Sequence, residues 1–154
     1  MGKLFLVFAC IFNIFAKVPE HVQVSDRNVE AFADTIKNKD LLVLSVGGFY
    51  ESKKVENLYL DLEYKGVLSQ KIARGKLIRY VRGMLSHINA DAELKPFLIK
   101  DKFTSRDISL SLAYLDSDGI SSQVHIYDGE IIFSTYDKMT NKLTKTHREA
   151  FALE

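Results

Sequence analysis

The side chains that could do chemistry are spread along the chain and are not clustered at metal-binding spacing. None of the four histidines has a second histidine three or four residues away, and the one cysteine, Cys10, has no cysteine partner. Zinc sites draw on closely spaced histidine and cysteine ligands of this kind. We therefore expect no metal and no cofactor. The histidines are His21, His87, His125 and His147.

A pair of carboxylates offers the arrangement best suited to acid–base chemistry. Asp61 and Glu63 alternate with leucines in a predicted strand, which places them on one face about 7 Å apart. In a cleft, such a pair could work with a histidine such as His125. The same alternation places both acids on the solvated face, and the chain contains no G-x-S-x-G motif. A hydrolase-like enzyme is therefore kept as an alternative to a binding function.

The stretch from residue 65 to 90 is rich in lysine and arginine and contains no acidic residue. A basic helix of this kind presents its charges to solvent, to an anionic membrane surface or to an acidic partner. Arg74 differs because it falls in the apolar stripe, where a buried guanidinium needs a paired carboxylate. We predict a carboxylate such as Glu149 or a strand aspartate as that partner, and Arg74 as the first contact for any small anionic ligand. The basic residues are Lys65, Lys71, Arg74, Lys76, Arg79 and Arg82.

Three tyrosines are the candidates for a surface that binds a partner. Tyr59, Tyr127 and Tyr136 lie in predicted strands, and the face of the sheet left uncovered by helices is where an apolar patch would mark protein binding. Tyrosine combines a large apolar ring with a hydroxyl group and is enriched at protein interfaces. We expect a protein partner that contacts this surface.

The N-terminus has the pattern of a secretory signal peptide over residues 1–16. Lys3 supplies a positive charge, and the apolar run from Leu4 to Ala16 follows it. As a helix this run would span roughly 20 Å, short of the roughly 30 Å of a bilayer core. A short basic segment followed by such a run is typical of export. We predict a protein exported to the periplasm or outside the cell, with membrane contact only through this segment if it stays uncleaved.

The composition is that of an ordinary globular domain. The chain has 154 residues, of which 47% are hydrophobic and 27% charged, with 21 basic against 20 acidic residues. This size accommodates one hydrophobic core, so we predict a single α+β domain over 17–154. Binding to nucleic acid phosphates requires a basic surplus, which the chain lacks, so no nucleic acid partner is expected.

Hydrophobic periodicity predicts an α+β fold. The strongest signal is a helix over 69–89, whose apolar residues recur at helical spacing. We expect a single antiparallel sheet of about five or six strands packed on this long amphipathic helix, with a short N-terminal helix. The predicted elements are a helix over 26–38, a polar loop over 49–56, a final helical turn over 148–153, and strands over 41–46, 58–64, 108–114, 124–127, 130–136 and 143–147.

A succession of short segments resembles a known family. The segments are Val46-Gly47-Gly48, Leu85-Ser86-His87-Ile88-Asn89-Ala90, Lys95-Pro96-Phe97-Leu98, Phe103-Thr104 and Asp128-Gly129. Over residues 40–152 the chain is similar to uncharacterised, small exported proteins of chlamydia-like intracellular bacteria. Lys102 departs from the family pattern, which has a proline before the Phe-Thr pair. The resemblance implies export and a host-associated lifestyle, and it implies no activity and no functional residue.

Three functions follow from these observations. The first is an exported, non-enzymatic protein that binds another protein through its sheet surface or through the loop over 91–106. The second is a carrier of a small apolar ligand, with a pocket between helix and sheet. The third is the hydrolase-like enzyme. The expected pocket of the carrier is lined by Leu60, Leu62, Met84 and Leu110.

Overall fold

A computed structural model describes residues 17–137 and 139–151 as two helices and one six-stranded sheet. The predicted signal peptide, residues 1–16, lies outside the described residues. A short 3₁₀ turn, Lys95–Phe97, lies in the connection between the second helix and the third strand. In chain order the elements are α1 (Glu20–Ile36), β1 (Leu41–Glu51), β2 (Lys54–Val67), α2 (Gln70–Ala90), β3 (Ile108–Leu115), β4 (Ser121–Tyr127), β5 (Glu130–Asp137) and β6 (Lys142–Ala150).

The strands lie in the sheet in their order along the chain, from β1 to β6. The α+β class with a single sheet is thus as predicted, but the expectation of a wholly antiparallel sheet was wrong. β2 and β3 pair in parallel, with Leu58 opposite Ile108, while every other neighbouring pair is antiparallel. The reason is the connection: α2 and the following loop carry the chain back along the sheet, so β3 starts at the same end as β2.

Three local predictions were also wrong. Residues 49–56 form a hairpin between β1 and β2, because Ser52 and Lys53 both adopt positive φ angles of 48° and 68°. This is the backbone of a type I′ turn, which sequence usually signals with Asn-Gly. Residues 148–150 continue β6 and do not begin the helical turn predicted over 148–153, of which residues 152 and 153 lie outside the described part of the chain. The first helix begins at Glu20, directly after Pro19, earlier than predicted.

Both helices pack on one face of the sheet, which we call the closed face. α1 contacts β1 and β2, and α2 contacts β3 and β4. α2 begins at a capping residue, Ser69, whose hydroxyl accepts a hydrogen bond from the backbone N–H of Ile72 at 3.3 Å. The apolar side of α2 then lies against the strands, with these residues buried: Ala73, Leu77, Tyr80, Val81, Met84, Leu85 and Ile88. The opposite face of the sheet, which carries neither of the two described helices, is called the open face.

Candidate functional site

The centre of the open face is a row of polar side chains that crosses four strands. Ser45 of β1 lies opposite Asp61 of β2, Asp61 lies opposite Ser111 of β3, and Ser111 lies opposite His125 of β4. Because side chains alternate across a strand, residues at one register position share a face. Four residues that are distant in sequence are therefore brought together by strand pairing.

Asp61 is the centre of this row. The hydroxyl of Ser45 donates to its Oδ2 at 2.6 Å, and the hydroxyl of Ser111 donates to its Oδ1 at 2.6 Å. Hydrogen bonds to a charged acceptor are stronger than those between neutral groups. The carboxylate and the two hydroxyl groups therefore fix one another, and they form a rigid floor.

His125 continues the row but takes no part in this hydrogen bonding. Its Nδ1 atom is buried and has no hydrogen-bond partner among the described residues. Burial lowers the pKa of His125 from its ordinary value of 6.5, and the positive charge of Lys145 lowers it further, while Asp61 opposes the change. The imidazole is consequently neutral near pH 7, with one ring nitrogen kept from water and without a partner.

A cleft of about 640 Å³ opens on this face beside the polar row. Phe49 and Tyr127 line it and expose 60% and 62% of their surface. Asn57 also lines the cleft, and its Oδ1 atom is buried with no hydrogen-bond partner among the described residues. A smaller cleft of about 220 Å³ contains Asp61, Ser111 and His125, and it shares Ser109 and Tyr127 with the larger one. We call the two together the open-face cleft.

One wall of the cleft is a loop held in place by Asp107. Burial alone would raise the pKa of this carboxyl, but the hydrogen bond from Lys100 and those from the backbone and hydroxyl of Thr104 outweigh it and lower the pKa. The Thr104 N–H and hydroxyl donate to Oδ2 at 2.8 and 2.9 Å, and the Lys100 ammonium group contacts Oδ1. The wall is thus ordered before any ligand arrives.

The structure separates the three tyrosines proposed from sequence. Tyr127 lines the cleft, and Tyr59 packs behind Phe49 with ring centroids 5.9 Å apart. The ring of Tyr59 lies over Gly47, where a Cβ atom would come within 2.6 Å of the tyrosine hydroxyl. Tyr136 lies at the other end of β5, where its hydroxyl donates to Asn141. Tyr59 and Tyr127 therefore belong to the surface around the open-face cleft, whereas Tyr136 lies outside it.

Arg74 and Glu149 are in contact, with Nε of the arginine donating to Oε1 of the glutamate. The expected burial of Arg74 was wrong, since 44% of its side chain is exposed. The buried stripe of α2 runs through Ala73 and Leu77, which leaves Arg74 at its margin beside β6. The contact is an ion pair at the surface joining α2 to the edge strand, and neither residue lines the open-face cleft.

In the part of the chain that the structure describes, no pocket lies at the four residues expected to line it for an apolar-ligand carrier, between α2 and the sheet. The four residues that would line it are fully buried, so no space large enough for a water molecule adjoins them. They belong to one contiguous hydrophobic cluster. The interior there is close-packed, as protein cores generally are. These residues are Leu60, Leu62, Met84 and Leu110.

The arrangement needed for a hydrolase is present only in part. Asp61 and His125 line one cleft together with a serine, Ser111, that sequence analysis did not single out. A serine nucleophile must donate its proton to the base, which is usually histidine. Ser111 donates to Asp61 instead. Glu63 is exposed and lies outside this cleft. The hydrogen bonding therefore favours a binding surface over a catalytic triad.

Several residues of the site were not found from sequence. Phe49 and Asn57 fell in or beside a segment read as a polar loop, and Ser45 and Ser111 looked like ordinary strand residues. One signal was available: Ser109 and Ser111 are small polar residues that alternate with leucines, which predicts a shallow strip on the open face.

Within residues 17–137 and 139–151, no group of three or more histidine, cysteine, aspartate or glutamate side chains is placed to hold a metal ion. Neither helix of that part of the chain has the length and apolar character needed to cross a membrane. Comparison with protein-family models, with curated proteins and with solved structures found no match to the chain.

Proposed function

We propose that the protein is an exported, non-enzymatic binding protein and that the open-face cleft receives a protein partner. The observation that carries this proposal is the pair of exposed aromatic side chains, Phe49 and Tyr127, at a single cleft of about 640 Å³. Exposed aromatic residues at a concave surface are typical of the anchor points of protein interfaces.

Two polar atoms in the cleft support the same function. Asn57 Oδ1 and His125 Nδ1 are buried and unpartnered among the described residues. A buried polar group without a hydrogen bond costs about 1–3 kcal/mol, so a partner that supplies hydrogen-bond donors to them gains affinity. The fixed carboxylate of Asp61 and the ordered Asp107 loop add to this, because a surface that is already rigid loses little entropy on binding.

The matched test compares a tyrosine that lines the cleft with one that lies outside it. Purified protein is immobilised and exposed to envelope and host-cell fractions, and the same capture is repeated with Tyr127→Ala and with Tyr136→Ala. We expect wild type and Tyr136→Ala to retain one partner that Tyr127→Ala loses by at least about tenfold, as for removal of an interface anchor. Equal capture by the two variants, with equal thermal stability, would overturn the placement of the binding surface.

Export is tested separately, by N-terminal sequencing of the protein recovered from its native compartment. A mature chain that begins near Lys17 supports a secretory signal over residues 1–16. An intact Met1 in a cytoplasmic fraction contradicts export and leaves the proposed binding surface unaffected.

A hydrolase is the second candidate, favoured by the presence of Asp61, Ser111 and His125 in one cleft. Incubation with p-nitrophenyl esters, and with a fluorophosphonate probe that labels activated serines, tests it directly. Labelling that disappears in Ser111→Ala would establish a nucleophile. Our proposal expects no labelling above that of the variant, because the Ser111 proton is donated to Asp61.

A further inference from the structure

Positive charge is in excess over the end of β2 and the whole of α2. The stretch from residue 65 to 90 holds six of the 21 lysines and arginines and none of the 20 acidic residues. The remainder of the chain therefore has 15 basic against 20 acidic residues. The chain is nearly neutral as a whole, but its charges are unevenly distributed, with the excess of positive charge at α2.

The structure places three of these six charges on the outer side of α2, away from the sheet. Lys71, Arg79 and Arg82 are exposed there, and none of them has a carboxylate within salt-bridge distance among the described residues. Arg74 is different because it pairs with Glu149, and the ammonium group of Lys76 lies 4.9 Å from the ring centre of Tyr64.

The same surface continues beyond the C-terminal end of α2. Arg82, Lys95 and Lys102 line a shallow depression of about 590 Å³ there, to which Asp101 contributes a carboxylate. We call the outer side of α2 together with this depression the basic face. Lys71, Arg82, Lys95 and Lys102 are exposed and have no salt bridge among the described residues, and the guanidinium of Arg79 lies 5.4 Å from the ring centre of Tyr80, so these side chains are available to an anionic surface.

Two aliphatic side chains lie at the N-terminal end of the basic face. Val67 ends β2 with 61% of its surface exposed, and Ile72 in the first turn of α2 exposes 53%. Ile72 falls outside the buried stripe of the helix. Leu115 at the end of β3 pairs with Val67, so the turn after β3 brings Asp116 and Asp118 near Val67. We therefore place the contact between the basic face and its binding partner on the α2 side of these two carboxylates.

We propose that the basic face docks on the surface of an anionic lipid bilayer. Phosphate groups of the lipids contact Lys71, Arg79 and Arg82, and Ile72 enters the headgroup region. A helix that lies along a bilayer typically combines basic residues with aliphatic ones at the boundary. Each lysine or arginine near an anionic leaflet adds to the attraction.

A lipid surface fits this face better than an acidic protein does. Protein interfaces are anchored by aromatic side chains in pockets with fixed polar partners, and the basic face exposes no large aromatic residue among its described residues. The open-face cleft has both features. Exposed cations around a shallow surface suit headgroups that diffuse and rearrange.

The test measures binding of the full chain to vesicles of phosphatidylcholine alone and of phosphatidylcholine with phosphatidylglycerol, by co-sedimentation at low and high salt. The variant reverses three charges of the basic face: Lys71→Glu, Arg79→Glu and Arg82→Glu. The matched control reverses three exposed lysines elsewhere: Lys39→Glu, Lys53→Glu and Lys142→Glu. Both have the same net charge, so a difference between them reports the location of the charge. Residues 4–16 are present in every protein and do not affect this difference.

We expect wild type and the control to prefer the anionic vesicles by at least about tenfold at low salt, and the basic-face variant to lose this preference. Ile72→Ser, which leaves the charge unchanged, should weaken the binding by a smaller factor. Equal binding of the two triple variants, both with native circular dichroism spectra, would overturn the proposal. So would binding to polyglutamate without binding to the anionic vesicles, since this identifies an acidic polypeptide as the partner.

Discussion

The two faces of the sheet use the same strand in opposite ways. Leu60 and Leu62 of β2 are fully buried under the helices, whereas Asp61 between them lies on the open face and accepts hydrogen bonds from Ser45 and Ser111. Around these leucines the closed face is packed without space for a ligand. The open face has a cleft, exposed aromatic rings and polar atoms without partners among the described residues.

The difference shows how stability and binding are divided in this molecule. The closed face contributes to stability by burying apolar surface. This contribution depends on the volume and shape of the side chains, because the interior is close-packed. The open face contributes little burial, but its hydrogen bonds set the positions of the groups that a partner would contact. Substitutions on neighbouring residues of β2 should therefore have effects of different kinds, and the following experiments test this.

The largest effect is expected from Leu62→Ala on the closed face. Leu62 is fully buried, so truncation leaves a cavity and should lower the free energy of unfolding by about 2–5 kcal/mol. Urea denaturation followed by circular dichroism measures the change. Partner capture by the folded fraction should be unaffected. A loss below about 1 kcal/mol would show that this face is loosely packed, and would reopen the question of a ligand pocket.

A smaller effect is expected from Asp61→Ala on the open face. The hydroxyl groups of Ser45 and Ser111 lose their common acceptor, which should cost about 1–3 kcal/mol by the same measurement. Asp61→Asn is the matched control, because an amide keeps the shape and part of the hydrogen bonding. If the alanine and asparagine variants are equally stable, the hydrogen bonds to Asp61 do not order the open face.

His125 should make stability depend on pH in a defined direction. Its pKa in the folded protein lies below 6.5, so at mildly acidic pH the unfolded chain binds more protons than the folded one. Stability should therefore fall as the pH is lowered through and below 6.5, and His125→Gln should reduce that dependence. The pKa values of Asp91 and Asp107 are lowered from 3.8, so their contribution is lost only at more acidic pH.

An NMR titration of the imidazole checks the cause. The pKa of His125 should lie below 6.5 and should rise in Lys145→Gln, because the neighbouring positive charge is removed. A pKa at or above 6.5 in the wild-type protein would contradict the burial of this side chain on the open face.

The smallest effect is expected from the ion pair between α2 and β6. Arg74→Met removes the contact with Glu149 but keeps an aliphatic side chain, and exposed pairs of this kind contribute about 0.2–1 kcal/mol. A double-mutant cycle with Glu149→Gln isolates the pair. A coupling well above 1 kcal/mol would mean that the pair is shielded from water, as the sequence had suggested.

Periodicity made part of the fold predictable. Alternation from Leu58 to Tyr64 identified the core of β2, and the helical spacing of apolar residues located α2 within a residue or two of its ends. Both patterns are local, because a helix or strand records in its own sequence which side is buried. An acidic partner for Arg74 was also expected, since a guanidinium beside an apolar stripe requires a nearby acid, but the sequence did not decide between Glu149 and a strand aspartate.

The parallel pairing and the candidate site could not be predicted from periodicity. Whether β3 runs parallel to β2 depends on how the chain crosses between them, and this leaves no periodic pattern in either strand. The polar row joins Asp61 to serines that are 16 and 50 residues away in sequence. Contacts at such distances are set by strand register, and the periodicity of one sequence does not show which strands pair or in which register.

The parallel junction of β2 and β3 also bears on how the chain folds. Leu58 and Ile108 are opposite each other although 50 residues separate them. The strands of every other neighbouring pair are joined by a short turn. Closing a long loop costs entropy before its contacts form, so pairings of this kind tend to come late. We expect the β1–β2 hairpin and the β3–β6 meander to assemble as independent units. The row from Asp61 to His125 spans the seam between them, so it would be complete only after the last step of folding.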